Sequence, residues 1–415
     1  MKQRYGIPNA FAALIRGPRS RRRTTSHHPL GGRTLLTAPF AIFRATLAVL
    51  AMSVMLPTNA ATSEDGVSQE AVTISRVIAL NGPAGAKGRE QEEALQAYLG
   101  SVNASGGVHG RKIVLKTTDL DLRTEAALSK IYAEHRPFAF FLFGGTAGST
   151  VGMTFASNQQ VPFVAPNSGA SVFHQPPKKY VFNVRARYQD EVLAAIRHFS
   201  TVNQRKLAAV YVDDPFGRDA ADGYHEGLRS ISNVSSVYEG KFAPDGSDLE
   251  KHVTELTRAK PDAVIMVGAS KRIAELVRQA RKASITATFM TLSNNASAGF
   301  AEELGEYGRG VIVGQVTPPG TGSSRLGREL HQLMSKPPEA TISYASMEAY
   351  AAAKVLVEGL KRAGPNLTRE GFVKALESLR RVDLGGIDVE YSQARRSGSS
   401  FVELSILTQD GKYVR

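Results

Sequence analysis

Two short stretches of this 415-residue chain carry residue types suited to gripping an anion. One is Gly144-Gly145-Thr146-Ala147-Gly148-Ser149-Thr150, and the other is Ala165-Pro166-Asn167-Ser168-Gly169-Ala170. Glycines let backbone amides approach a bound group closely, and hydroxyls add hydrogen bonds of adjustable direction. A helix starting at such a turn aims unpaired N–H groups and about half a positive charge outward. A carboxylate is the natural guest. Each stretch alone reads better as a tight turn capped by Ser or Thr; together, on neighbouring strands, they favour a site. Gly145, Thr146, Ala147, Gly148, Ser149, Asn167, Ser168 and Gly169 are therefore candidate ligand contacts.

Catalytic chemistry finds less support. The chain has no G-x-x-x-x-G-K-[ST], no H-E-x-x-H and no G-x-S-x-G, and Gly144 to Thr150 does not spell G-x-G-x-x-G. The histidines beyond residue 60 (His109, His135, His174, His198, His225, His252, His331) are scattered singly, without metal-ligand spacing. Asp213-Asp214 is a possible acid pair, but its place before Phe216-Gly217 makes turn and capping duty the better reading. No catalytic residue, metal or cofactor is expected.

The elements that must position these loops follow from hydrophobic patterning. From Ser75 onward, short β-branched or aromatic runs alternate with amphipathic segments, the pattern of βαβ units around parallel sheets. Strands are predicted at 75–80, 112–119, 138–145, 162–165, 181–185, 206–212, 234–242, 263–268, 288–292, 310–317 and 401–408. Helices are predicted at 87–103, 122–134, 188–202, 217–231, 247–259, 270–282, 323–335, 343–363 and 368–380. Ser247 with Glu250 reads as a capping box for the helix at 247–259. The unit layouts of 75–186 and 206–317 resemble one another, so two similar α/β lobes are expected.

Charge and composition narrow the class further. Residues 1–60 hold nine basic side chains and no acidic one, which leaves +4 of the formal +13 for the other 355 residues, so a nucleic-acid partner is not indicated. The absence of cysteine excludes a disulfide scaffold, a thiolate metal site and lipid attachment at an N-terminal cysteine. After Arg44, the 12-residue run Ala45 to Leu56 is apolar apart from Thr46 and Ser53, and Pro57-Thr58-Asn59-Ala60-Ala61 follows. This is the order of a secretory signal, too short for a span of about 20 residues. Export with cleavage near Ala60, into the periplasm of a Gram-negative cell, is the expectation.

Asn103-Ala104-Ser105-Gly106-Gly107-Val108-His109-Gly110-Arg111-Lys112-Ile113 resembles the N-x-x-G-G-V-x-G-R-K-I turn of the type I periplasmic binding proteins, the branched-chain amino-acid-binding or extracellular ligand-binding receptor group. Leu80-Asn81-Gly82-Pro83 is similar to the family's L-S-G-P, and Asp213-Asp214-Pro215-Phe216-Gly217 to its D-x-x-[YF]-G. The resemblance implies two doubly wound parallel-sheet lobes joined by a three-crossing hinge. Lobe 1 would comprise 73–187 plus 320–392, and lobe 2 would comprise 190–317 plus 399–415. It further implies a monomer that closes over a small carboxylate and delivers it to an ABC permease of the inner membrane; a ligand-sensing subunit for a membrane receptor is the alternative.

In that family the ligand carboxylate is held by the loops that match Thr146 to Ser149 and Asn167 to Gly169, and the resemblance adds Asn81, Tyr188, Asp214 and Ser293 to the candidate contacts. One departure stands out. Amino-acid binders of the group hold the ligand ammonium with an acid on lobe 2, where this chain has Ser293-Asn294-Asn295. A neutral amide does not replace that charge in a desolvated cleft. Tyr188 could stack on a flat ligand. A small carboxylate, aromatic or otherwise planar, is therefore expected over leucine, with Asp213 or Asp214 the remaining source of negative charge for an amine, which keeps amino acids in play.

Overall fold

The computed structural model describes residues 64–415 apart from 83–84, 338–339 and 341; the leader expected over 1–60 lies outside the described residues. The first sheet is built from β1 (Ala71–Ile78), β2 (Lys112–Asp119), β3 (Ala139–Phe141), β4 (Phe163–Val164) and β5 (Val181–Phe182), in the order β2-β1-β3-β4-β5. All its pairings are parallel. Parallel strands covered on both faces read as unbroken apolar runs, and β3 does so, whereas β1 carries Thr73, Ser75 and Arg76. Helix α1 (Gly85–Ala104) follows β1, α2 (Glu125–His135) follows β2 and α3 (Gly145–Gln159) follows β3.

The second sheet repeats the plan with β6 (Lys206–Val212), β7 (Ser235–Phe242), β8 (Ala263–Val267), β9 (Thr288–Thr291) and β10 (Ile312–Gln315). Antiparallel β13 (Glu403–Leu407) and β14 (Tyr413–Val414) extend it beyond β10, giving the order β14-β13-β10-β9-β8-β6-β7. Its helices are α4 (Tyr188–Thr201), α5 (Pro215–Ser230), α6 (Leu249–Ala259), α7 (Ser270–Lys282) and α8 (Ala298–Leu304). After β10 the chain returns to the first lobe as α9 (Arg325–Leu333), α10 (Tyr344–Ala363) and α11 (Arg369–Glu377), followed by the ribbon β11 (Val382–Asp383) and β12 (Asp388–Val389). The alanine-rich α10 is buried on most of its circumference against α1, α9 and α11. The fold is thus two doubly wound α/β lobes with three crossings, at 183–187, 316–324 and 390–402.

Short elements differ from the sequence reading. Helix α8, strand β14 and the β11–β12 ribbon are too brief to leave a periodic signal. Ser247 does not cap α6: its amide and hydroxyl both donate to Asp245 Oδ1, at 3.0 and 2.8 Å, and Asp248 takes the cap position. An aspartate two residues upstream captures the serine in a local turn before the helix can use it.

The first and third crossings are stitched together by Asn183. Its backbone accepts from Gly398 N–H (2.7 Å) and Tyr391 Oη–H (3.0 Å), and its side-chain Nδ2 donates to Ser168 O (2.8 Å) and to His174 Nε2 (3.0 Å). Because Asn183 donates to Nε2, the His174 proton sits on Nδ1 and is given to Ser397 Oγ at 2.7 Å. Burial, reinforced by the charges of Arg185 and Arg187, lowers the His174 pKa to about 3. The unfolded chain takes up this proton below about pH 6.5 while the folded chain declines it, so the stability from neutral His174 is complete above that pH and is lost progressively as pH falls toward 3. Urea unfolding of the wild type should therefore weaken between pH 6.5 and 5 with a slope approaching about 1.4 kcal/mol per pH unit in excess of that of H174Q; equal slopes would remove His174 from the hinge's acid response.

Candidate functional site

The carboxyl ends of the two sheets face each other across a cleft of about 310 Å³. Each lobe presents its topological switch point, where helices after neighbouring strands leave on opposite sides. In the first lobe this lies between β1 and β3 and contributes Ile78, Ala79, Lys87, Gly88 and the turn Gly144 to Gly148. In the second it lies between β6 and β8 and contributes Val212, Asp214, Phe216, Ala269 and Ser270.

The two loops chosen from sequence are held side by side. Gly144 and Asn167 form a parallel bridge, with Asn167 N–H donating to Phe143 O at 3.1 Å and Gly144 N–H donating to Val77 O at 2.9 Å. Gly144 caps α3 without a side chain, so no capping group competes for the first-turn amides of Gly145, Thr146 and Ala147. Gly145 adopts φ 62°, a left-handed conformation that glycine reaches without strain. Asn167 Nδ2 donates to Gln91 Oε1 (3.2 Å), which also accepts from the buried Arg76 guanidinium (2.7 Å). This fixes the amide's orientation and leaves Asn167 Oδ1 with no acceptor duty inside the described chain.

Of the candidate contacts, Gly145, Thr146, Ala147, Gly148, Asn167, Tyr188 and Asp214 line the cleft. Five others do not line it. Ser149 is fully buried, and its hydroxyl donates to Phe143 O at 2.9 Å, closing the end of the strand. Ser168 is likewise buried, sharing a 2.9 Å hydrogen bond with Thr146 Oγ1 and accepting from Ala170 N–H, so it props the threonine from behind. Gly169 presses on the first crossing, where a Cβ would come within 2.8 Å of Tyr188 N. Asn81 is exposed and ties the end of β1 to Asp119.

Ser293 is the fifth, and it explains where the acid went. Its amide and hydroxyl donate to Glu191 at 2.7 and 2.8 Å, and Glu191 projects from α4, 102 positions earlier in the chain. Glu191 is fully buried and pairs with Arg185 Nη2 at 2.6 Å. Arg185 Nη1 reaches Glu348 Oε1 at 3.0 Å, and Glu348 Oε2 reaches Lys87 Nζ at 3.0 Å. Burial alone would raise the Glu348 carboxyl, but Lys87 and Arg185 together hold it below the usual carboxylate range.

Tyr188 is only 2% exposed. Its ring lies 4.7 Å from that of Phe216 and 4.8 Å from the Arg185 guanidinium carbon, so protein groups already pack against it and Phe216 offers the more open aromatic surface. Asp214 Oδ1 accepts from Gly217 N–H at 3.0 Å, capping α5. Lys87, Phe216, Asn294 and Asn295 line the cleft without having been singled out as contacts from sequence. The two asparagines are oriented by Gly268 O, which accepts from both side chains. Among the described residues no group of three His, Asp or Glu is placed to hold a metal ion, and no helix is long and apolar enough to cross a membrane.

Comparison with known proteins agrees with this architecture. The family model described as periplasmic binding protein matches residues 71–402. The Leu/Ile/Val-binding protein homolog 3 of Brucella melitensis is 23% identical over 351 residues, covering 83% of this chain and 93% of its own length. A substrate-binding periplasmic protein from Ralstonia solanacearum superposes with a TM-score of 0.74 at 24% identity, over 83% of this chain and 99% of its own. A fatty acid ABC transporter substrate-binding protein from Thermomonospora curvata does so at 0.75 and 20%, over 85% and 92%.

Removing one member of a buried ion pair leaves the other uncompensated, at about 3–5 kcal/mol. Arg185→Ala should therefore lower unfolding free energy by about that amount in chemical denaturation. A loss no larger than that of a surface substitution would show that the buried carboxylates do not depend on the guanidinium.

Proposed function

From the premise that the chain belongs to the type I periplasmic binding proteins of the branched-chain amino-acid group, a family of solute-binding proteins, we propose that it captures a small carboxylate-bearing solute between its lobes and passes it to an ABC importer. The observation that carries the ligand class is the uncapped start of α3 beside Asn167 at the wall of a cleft that both lobes line. Amides held rigidly by the strand ends have no reorganisation to undergo when an anion arrives, and they discriminate by charge and shape. Contacts from both lobes exist together only when the cleft closes, so binding free energy shifts the population toward the closed form that a permease would read.

The lining charges support an anion. Lys87, Arg123 and Arg272 stand against Asp121 and Asp214. Asp121 is paired with Arg123 at 2.6 Å, which leaves Asp214 as the lining carboxylate outside an ion pair among the described residues. Glu191 is out of a ligand's reach behind Ser293. A ligand without an amine fits this better than a branched-chain amino acid does.

Calorimetric titration of simple organic acids and branched-chain amino acids, with mass spectrometry of whatever co-purifies, tests the reading. Acid binding at micromolar levels or tighter is expected; tight binding of leucine, isoleucine or valine with none of the acids would overturn the ligand class. Thr146→Val should weaken acid binding by about 1 kcal/mol through loss of the hydroxyl. Asp214→Asn keeps a good helix cap and should leave acid affinity unchanged; a large loss confined to an amine-bearing ligand would show that an amine is being held there.

A further inference from the structure

Lys87 counts among the cleft's positive charges without a ligand group of its own, and its surroundings point to one. It stands in the first turn of α1, on a different element from the α3 amides, and its side chain is 16% exposed at the cleft wall. Its one partner among the described residues is Glu348, at 3.0 Å. That carboxylate is shared: its other oxygen serves Arg185, which in turn serves Glu191. The result is a row of alternating charges, Lys87, Glu348, Arg185, Glu191, running from the cleft into the interior.

The row is neutral in sum but polar in direction. Its buried end is a carboxylate whose oxygens are taken by Arg185 and by the amide and hydroxyl of Ser293. Its cleft end is an ammonium with three donors and, among the described residues, one acceptor. The other two lining cations sit in more open surroundings and are also paired, Arg123 with Asp121 at 2.6 Å and Arg272 with Glu275 at 3.5 Å. Lys87 is thus the most enclosed of the cations lining the cleft, partly desolvated and held in place by Glu348, and a charge-assisted hydrogen bond to an anion there is stronger than one in open water.

We propose that Lys87 is a specificity-determining residue that pairs with a second negative group of the ligand, so that the cleft selects dicarboxylates over monocarboxylates of the same skeleton. This rests on the carboxylate reading above: the first acid group lies on the α3 amides and the second on Lys87 Nζ. The apolar part of the cleft lining, Ile78, Leu120 and Phe216 among it, suits a hydrocarbon or aromatic spacer.

Matched pairs test the assignment. The full chain is titrated calorimetrically with benzoate against terephthalate and with hexanoate against adipate. At least one diacid should bind about tenfold or more tightly than its monoacid. Lys87→Met should bring that ratio close to one by weakening the diacid more than the monoacid, and Lys87→Arg should retain the preference. Thermal unfolding of each variant separates loss of binding from loss of fold, and the wild-type ratio stands whatever the variants do. Equal affinity for diacid and monoacid in the wild type would overturn the proposal while sparing the carboxylate reading. So would a Lys87→Met variant that weakens both equally, since the lysine would then serve a single acid group. Failure of all four acids to bind would instead overturn the carboxylate reading itself.

Discussion

A guanidinium taken out of water between two lobes must find carboxylates on both sides, and Arg185 does. It lies 3% exposed on the first crossing, with Glu348 of the first lobe at 3.0 Å and Glu191 of the second at 2.6 Å. Desolvating three such groups is unfavourable by several kcal/mol each, and only their mutual attraction at short range offsets it. The geometry of the crossing is therefore tightly specified: a shift that separates Arg185 from either acid leaves a buried charge unpaired. A lobe rotation that pivots about this node would keep both ion pairs, whereas one that slides past it would break them. Tyr188 packs its ring on the same guanidinium and thereby couples the start of α4 to the node.

The same node fixes the walls of the cleft. Glu191 orients Ser293, and the asparagines that follow it are aligned by Gly268 at the end of β8. On the opposite wall, the bridge between Gly144 and Asn167 sets the start of α3, and the hydroxyls of Ser149 and Ser168 brace it from within. Serines expected to touch the ligand thus hold the groups that face it. A buried hydroxyl with a carbonyl to satisfy is locked into one direction, which makes it a poor adaptable contact but a good strut.

Much of this was legible in the sequence. Alternating apolar runs and amphipathic segments gave the two α/β lobes, because burial on both faces forces parallel strands into continuous hydrophobic stretches such as those of β3 and β8. The small polar loops after the strands around Phe141 and Phe163 were visible by composition. Pairings across large separations were not: Glu191 with Ser293 spans 102 positions and Arg185 with Glu348 spans 163. Nothing local distinguishes an acid in the first turn of an amphipathic helix from an ordinary solvated one. Lys87 was hidden for the same reason, since whether a lysine in a helix's first turn faces solvent or a cleft depends on the other lobe.

The reading of Ser293 shows how a missing residue misleads when only type is considered. The sequence suggests that the second lobe lacks an acid near this position, whereas the structure places one directly behind the serine. What differs is accessibility and pairing. Glu191 is enclosed and neutralised by Arg185, so its field in the cleft is small, while the cation at the far end of the row, Lys87, stands at the surface of the pocket. A ligand ammonium entering here would meet a like charge that Glu348 only half compensates, because that carboxylate also serves Arg185. At separations of a few ångströms, with part of the solvent removed, such a repulsion amounts to about a few kcal/mol. The electrostatic preference of the cleft therefore follows from the order in which its charges are stacked, outermost cation first, more than from their number.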